Sequence, residues 1–265
     1  MEIVKNAYVT MEGAYYESGG IISGTQRIPT NHPMSYWQQG NEETRLAFKK
    51  DDLYLLDNIK DALYVGRIPT HFGHFLLEGL PRLCDAAIMN MPIVGYVTDG
   101  FLPEGIKATP RESINWVIKT ITSEMFYELD GRTEFIVENL LVPELPMVLS
   151  CSCSEPWRMS AMIKKIVKAA RSENKKIRKS NKLFLSKKNE EYEGFHDFSN
   201  PDDHISKQIA KVSYAKSLHG VTGSNTHISM FAQKNCLTSW EQRGDFDQTD
   251  RNQLICDLVK TYNNF

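Results

Sequence analysis

Short apolar runs of strand length alternate with helical patterns along most of this 265-residue chain. In the first part the predicted strands are, in order, 2–10, 53–56, 62–66, 92–97, 135–137 and 140–142, and the predicted helices are 71–90 and 111–127. In the second part the predicted order is strand 183–185, helix 203–213, strand 215–219, helix 225–233, strand 236–240 and helix 249–262. Because strand–helix–strand units place successive strands in one parallel sheet, this alternation predicts an α/β fold with helices flanking parallel sheets.

A change of composition near 150–157 divides the alternating series. A strongly basic amphipathic helix is predicted after it, from Trp157 to Lys179. We interpret this helix as the link between two domains, residues 1–150 and residues 151–265. Its lysines and arginines face solvent in one interpretation and a phosphate group in the other.

The bulk composition is that of a soluble globular protein, with 41% hydrophobic and 24% charged residues and a formal net charge of −2. This charge argues against nucleic acid as a partner. The sequence has no apolar run of membrane-spanning length and no signal-peptide pattern. Five cysteines, an odd number, favour reduced thiols and a cytoplasmic location. The lysines around Lys175 and Lys176 add the hypothesis of peripheral association with the inner face of a membrane.

The segment Thr70–Leu83 carries the densest group of chemically active side chains. At about 100° per residue in a helix, His71, His74, Glu78 and Arg82 share one face within an arc of about 80°. The apolar residues on the opposite side are Phe72, Leu76, Leu77, Leu80 and Leu83. Such a helix packs on one side and offers imidazole, carboxylate and guanidinium groups to a cleft or to solvent. Since Pro81 disrupts a regular helix, the pattern predicts two short helices or one kinked helix.

Two kinds of chemistry fit this polar face. His74 and Glu78, with His71, have the residue types of a general base that takes a proton from a hydroxyl group. The same three side chains also form a two-histidine, one-carboxylate set of the kind that binds a metal ion. The sequence contains no HExxH motif to support a metal-dependent enzyme.

A second group, His219–His227, joins a predicted strand to a predicted helix. Free backbone N–H groups at such a turn can bind phosphate, and Gly220 and Gly223 allow a close approach to the backbone. Ser224 and Asn225 are favoured helix N-cap residues, so a capped helix without a ligand is the alternative interpretation.

The end of the predicted strand at 183–185 supports an anionic ligand in this part of the chain. Lys187 and Lys188 follow that strand directly. Ligands of open α/β sheets bind at the carboxyl ends of the strands. The two strand ends together therefore predict an anion-binding edge.

Three segments resemble glycosyltransferase family 61, also called the DUF563 group, whose bacterial members belong to capsular and surface-polysaccharide gene clusters. HFGHFLLEGLPRL at 71–83 resembles the first signature of the family, and LFLSKK at 183–188 resembles its strand ending in Ser-Arg. AKSLHGVTGSNTHISMF at 215–231 is similar to the later glycine-rich segment, with Gly223, Ser224 and His227 in matching places. The three matches occur in the family's order.

The resemblance implies a GT-B-like architecture, in which two Rossmann-like halves face each other across a cleft. It implies an inverting, metal-independent transfer of a sugar from a nucleotide sugar to a glycan or lipid-linked acceptor, with no cofactor. His74, Glu78 and Arg82 match the first motif, and the implied catalytic residues are His74 and Glu78; His71, on the same helix face, is the third catalytic candidate. The predicted donor-binding residues are Arg82, Lys187, Lys188, His219, Gly220, Gly223, Ser224, Asn225 and His227.

Two departures from the family pattern keep a second function open. Lys187-Lys188 replaces the usual arginine, which retains charge but loses the bidentate geometry that guanidinium offers to phosphate. Asn189-Glu190 follows at once, where the family has a longer segment. A non-catalytic member that acts as a scaffold or partner in polysaccharide synthesis is therefore the alternative hypothesis.

Overall fold

A computed structural model describes residues 1–10, 13–16, 22, 55–98, 108–129, 134–143, 147–148, 152–153, 156–177, 181–185, 198–199, 202–221 and 223–241. The strands are β1 Glu2–Thr10, β2 Gly13–Tyr15, β3 Leu55–Pro69, β4 Ile93–Thr98, β5 Phe126–Glu128, β6 Glu134–Val142, β7 Met147–Val148, β8 Ser152–Cys153, β9 Lys182–Leu185, β10 Phe198–Ser199, β11 Ser217–Val221 and β12 Leu237–Glu241. The helices are α1 Phe72–His74, a π-helical turn Phe75–Gly79, α2 Leu80–Arg82, α3 Cys84–Met89, α4 Arg111–Ile121, α5 Pro156–Glu173, α6 Ile205–Tyr214 and a 3₁₀-helix Ser224–Phe231. The helix predicted at 249–262 lies outside the described residues.

The first sheet is mixed, with strand order β2-β1-β6-β3-β4-β5. β3 pairs in parallel with β4 and β6, and β4 pairs in parallel with β5. β1 is antiparallel to both β6 and β2. The predicted α/β class is therefore confirmed, whereas a purely parallel sheet in this part of the chain is wrong.

The first sheet corrects two pairs of predicted strands, because each pair is one long strand. β3 begins at Leu55 and continues through Asp57 and Asn58 to Pro69, so it contains the end of the run 53–56 and all of the run 62–66. The runs 135–137 and 140–142 are both parts of β6. β3 and β6 pair along most of their lengths, with a register shift next to Asp57. These backbone hydrogen bonds outweigh the turn preference of the Asp-Asn pair.

Two predicted helices are shorter than their patterns suggest. α4 ends at Ile121, because Thr122 has an extended backbone and the chain then forms β5 beside β4. α5 ends at Glu173, six residues before the predicted Lys179. In both cases the apolar periodicity continues beyond the last helical residue and overstates the length of the helix.

The second sheet is entirely parallel, with strand order β10-β9-β11-β12. From β9 the chain first adds β10 on one side and later β11 on the other. From β3 it likewise adds β4 on one side and later β6 on the other. Each sheet thus has a topological switch point, where two strand ends open a crevice at the carboxyl edge.

The basic helix α5 is a central element of the core. Its buried apolar residues Met159, Met162, Ile166 and Ala170 belong to one cluster with side chains of α3, α4, α6 and both sheets. The apolar face of α5 thus removes two methionine side chains, one isoleucine and one alanine from water, and burial of this kind is the main favourable term in folding. The prediction of an amphipathic helix at this position is confirmed.

Asp85 and Arg158 form a buried ion pair between α3 and α5. Arg158 Nε donates to Asp85 Oδ1 at 2.8 Å, and Arg158 Nη2 donates to Asp85 Oδ2 at 2.5 Å. Both side chains are 7% exposed. The two hydrogen bonds form the bidentate arrangement that arginine makes with a carboxylate. This pair joins residues 73 positions apart, and the sequence patterns did not indicate it.

We expect Arg158→Met to lower the free energy of unfolding by about 3–5 kcal/mol, because it leaves the Asp85 carboxylate buried without its cation. Urea denaturation measures this change. Arg111→Met is the matched control, since the Arg111–Glu128 pair is exposed (40% and 37%) and its loss should cost less than about 1 kcal/mol. Equal losses in the two variants would contradict the importance of the buried pair.

Candidate active site

The first candidate group lies at the carboxyl end of β3, next to the end of β4. Thr70 N–H donates to Thr98 O at 3.0 Å, and Thr109 N–H donates to Thr70 O at 2.7 Å. His71 follows and is the N-cap residue of α1, where its Nδ1 accepts a long hydrogen bond of 3.4 Å from His74 N–H. The backbone around Thr70 therefore fixes the point from which the helical segment begins.

The helical segment after His71 changes from α to π and back to α. Leu80 N–H donates to Phe75 O, the bond that defines the π-helical turn, and Pro81 lies in the first turn of α2. A proline ring clashes with the preceding turn of a regular helix, and a wider turn leaves room for it. The predicted irregularity at Pro81 is confirmed. Single π-turns inside α-helices are frequent at functional sites.

His74 and Glu78 form a hydrogen-bonded pair across this turn. His74 Nδ1 contacts Glu78 Oε1, in agreement with the prediction that the two side chains share one face. The Glu78 side chain is 8% exposed and that of His74 is 25% exposed. In the neutral imidazole, Nδ1–H donates a hydrogen bond to the carboxylate, and the lone pair is then on Nε2. Within the described part of the chain no hydrogen bond occupies that nitrogen.

His71 adds a second imidazole beside the pair. Its ring centroid is 4.7 Å from that of His74, with the planes at 68°. Burial, and then the neighbouring His74, lower the pKa of His71 to about 4, against a smaller opposing effect of Glu78. His71 is therefore neutral near pH 7 and serves as an acceptor for the His74 amide.

Arg82 lies beside a β-bulge in β3. β3 shifts register between Tyr64 and Gly66, and Gly66 has φ +60°. A Cβ at Gly66 would lie 3.5 Å from Arg82 Nη1 and 3.2 Å from the Tyr64 ring. A Cβ at Gly95 would lie 2.5 Å from Gly66 O, so both strands need glycine at this point. The bulge gives the guanidinium group its place beside the sheet.

Burial disfavours the charged forms of both Arg82 and Tyr64. Burial lowers the pKa of Arg82, and the electrostatic effects of Tyr64 and Glu78 oppose that change. Burial raises the pKa of Tyr64. Arginine retains its proton in proteins, so Arg82 supplies positive charge near the Glu78 carboxylate. Tyr64, Gly66 and Gly95 were missed by the sequence analysis; the two glycines inside strand patterns were the available signal.

The second candidate group lies at the carboxyl edge of the parallel sheet, between the ends of β9 and β11. The predicted short helix is a 3₁₀-helix, preceded by Gly223. Asn225 Nδ2 donates to Leu185 O, the last residue of β9, at 2.6 Å. Thr226 Oγ1 donates to Gly223 O at 2.7 Å. The Asn225 side chain thus connects the glycine turn to the neighbouring strand at the switch point.

Three further residues of this group have local packing reasons for their positions. A Cβ at Gly220 would lie 3.2 Å from Leu185 Cβ, so glycine allows β9 and β11 to lie close together. His219 stacks on Phe184, with ring centroids 5.6 Å apart, and burial lowers its pKa. The His219 ring also contacts Ser239 and Glu241 on β12. His227 is buried at 4% exposure.

The structure brings the two groups together. α1 and the π-helical turn, which carry His74 and Glu78, pack directly against the 3₁₀-helix. Lys187, Lys188 and the Ser224 side chain lie outside the described residues.

Within the described ranges of the chain, no set of three His, Cys, Asp or Glu side chains has a geometry that could hold a metal ion. No helix in those ranges has the length and apolar character needed to cross a bilayer.

Comparison with known proteins places the chain in a class of sugar-transferring enzymes. The family model described as Glycosyltransferase 61 matches residues 72–238, a span that holds both candidate groups except His71, which directly precedes it. The chain belongs to this family. A search of curated proteins gave no match.

We expect His71 to make the stability of the protein depend on pH. The ordinary pKa of histidine is about 6.5, and that of folded His71 is about 4, so between these values the unfolded chain binds the proton more readily. The free energy of unfolding should therefore fall as the pH falls from about 6.5 to about 4. In His71→Asn, which retains an N-cap acceptor, this part of the loss should be absent.

Thermal unfolding of both proteins across this pH range measures the effect. The difference at pH 8, where both forms of residue 71 are neutral, gives the structural cost of the substitution. Parallel curves from pH 8 to pH 4 would contradict the assigned pKa.

Proposed function

We propose that the protein is an inverting, metal-independent glycosyltransferase that moves a sugar from a nucleotide sugar to a glycan or lipid-linked acceptor in polysaccharide biosynthesis. Family membership supports the general activity. The observation that carries the proposal is the His74–Glu78 pair, which lies beside the 3₁₀-helix that follows a glycine turn. One group has the chemistry of a base and the other that of an anion-binding turn.

In the proposed mechanism His74 is the general base. Its Nε2 takes the proton of the acceptor hydroxyl while the oxygen attacks the anomeric carbon of the donor. The bond between that carbon and the phosphate oxygen breaks, the nucleoside diphosphate leaves with the electron pair, and the configuration inverts. Throughout the reaction Glu78 accepts a hydrogen bond from Nδ1–H of His74 and stabilises the imidazolium that forms. Neutral His71 adds no positive charge that would oppose protonation of His74.

The donor in this proposal binds at the switch point of the parallel sheet. The leaving diphosphate needs N–H donors and cations. The backbone after Gly223 offers N–H groups, and Lys187 and Lys188 follow β9 in the sequence. His219, Gly220, Ser224 and His227 complete the proposed nucleotide side, and Asn225 holds the turn against β9.

The proposed architecture is GT-B-like, with residues 1–150 on the acceptor side and residues 151–265 on the donor side. It is supported by two sheets that each have a switch point and by the contact between the segments at their carboxyl edges. The same proposal includes a cytoplasmic location, where nucleotide sugars are the donors. It includes no cofactor. Arg82 is assigned to the acceptor side, because its position by the β3 bulge favours orientation of Glu78 over contact with donor phosphate.

We expect His74→Ala to reduce the rate of sugar transfer by about 10²–10⁴-fold, the usual contribution of a general base. Glu78→Gln should reduce it less, because the imidazole retains a hydrogen-bonding partner. Both variants should bind a nucleoside diphosphate as the wild type does. Initial rates with a range of nucleotide sugars, and binding by calorimetry, measure the two properties; His204→Ala, a histidine cap elsewhere, is the control. Full activity in His74→Ala would refute the assignment.

A thermal-shift series with nucleoside diphosphates and nucleotide sugars, with and without EDTA, tests the donor and metal proposals together. Stabilisation that persists in EDTA supports a metal-independent donor site, and the nucleotide that stabilises most identifies the nucleobase of the donor. Stabilisation lost in EDTA would favour the metal-dependent alternative. Binding without turnover on any acceptor would favour the scaffold.

We expect Asn225→Ala to weaken nucleoside diphosphate binding about threefold to tenfold, because the turn after β11 loses its hydrogen bond to Leu185. The matched control is Gln233→Ala, which removes a similar bond: Gln233 Nε2 donates to Ala215 O at 2.7 Å, before β11 begins. That variant should bind nucleotide normally. Equal weakening in both would mean that the effect is one of general stability.

A further inference from the structure

A cavity of about 450 Å³ lies between α5 and the end of the 3₁₀-helix. Its lining includes Lys164, Lys168 and Arg171 on one side and Phe231 and Gln233 on the other. Its volume is within the range of ligand sites in proteins. Among the described residues, no acidic side chain lines it.

This cavity lies at the opposite edge of the parallel sheet from the proposed donor site. Gln233 bonds to Ala215, two residues before β11 begins. Arg171 Nε donates to Ser213 Oγ at 2.9 Å, at the end of α6, and its guanidinium lies 4.6 Å from the centre of the Tyr214 ring. The donor turn follows the other end of β11. The two sites are therefore separate, and Arg171 is held in place at the rim of the cavity.

Lys164 and Lys168 are two exposed cations that lie one helical turn apart. Like charges at this spacing destabilise a helix. Across the ranges that the structure covers, neither ammonium group has an ion-pair partner. The one carboxylate within 156–177, Glu173, accepts from Trp116 Nε1 at 2.8 Å. An anion from outside the chain would relieve the repulsion.

The outer face of α5 also carries an exposed aromatic residue. Trp157, at 49% exposure, lies within about 60° of Lys164, Lys168 and Arg171 around the helix axis. Tryptophan beside lysine on an amphipathic helix is typical of helices that lie at a membrane surface. Binding of a soluble phosphate would not involve the exposed indole of Trp157.

We infer that this face of α5 binds the headgroups of anionic phospholipids. The lipid phosphate lies between the ammonium groups of Lys164 and Lys168, and Arg171 adds a third positive charge. The glycerol part of the lipid lies against the apolar side of the cavity at Phe231, and Trp157 enters the headgroup region. The inference does not depend on the proposed transfer reaction.

Co-sedimentation of the full chain with phosphatidylcholine vesicles, with and without phosphatidylglycerol, tests this surface. The wild type should bind only the anionic vesicles, and less at high salt. The double variant Lys164→Gln/Lys168→Gln should bind them about thirtyfold more weakly, the effect of removing two lysines near the surface. Trp157→Ala should also weaken binding. Lys60→Gln/Lys119→Gln removes the same charge from exposed positions on β3 and α4 and should change little.

Three results would overturn the inference. The wild type could fail to prefer anionic vesicles, or the control could lose as much binding as the test variant. A thermal shift with glycerol 3-phosphate that depends on Lys164 and Lys168, without vesicle binding, would instead identify a soluble phosphate ligand. Nucleoside diphosphate binding by the double variant should equal that of the wild type, which separates this result from any failure of the proposed function.

Discussion

The hydrogen bond between His74 and Glu78 depends on the conformation of the chain directly after β3. Contacts with the surrounding structure fix that conformation. The backbone bonds of Thr70 fix the first residue of the helical segment, and the π-helical turn sets where the carboxylate lies. Arg82 lies beside the β3 bulge, where two strands carry glycine, and it interacts electrostatically with Glu78. The general base proposed at His74 requires one tautomer and one ring orientation. The packing of β3 against its neighbours therefore determines the chemistry that His74 offers.

Local patterns predicted the features that neighbours in sequence determine. Helical spacing placed His74 and Glu78 on one face, and Pro81 predicted the irregular segment. The glycine turn before Asn225 also follows a strand, as predicted, although the helix after it is a 3₁₀-helix. These agreements arise because each depends on residues within one or two turns of the chain.

Features that join distant segments were missed because local patterns do not identify partners that are far apart in the sequence. The continuity of β3 through Asp57 and Asn58 comes from pairing with β6, some 80 residues later. The Asp85–Arg158 ion pair and the register shift at Gly66 also require partners that periodicity does not identify. The roles of Lys187 and Lys188 stay predictions, since these residues lie outside the described ranges.

The π-helical turn also makes the number of residues between His74 and Arg82 significant. A π-turn contains one residue more than the α-helical path it replaces. Loss of Leu76 or Leu77 would place a regular helical turn ahead of Pro81, where the proline ring clashes, and it would rotate everything that follows by about 100° relative to His74. Glu78 and Arg82 would then be displaced relative to His74 although both side chains remained. In this segment the spacing of the residues carries as much chemical information as their identities.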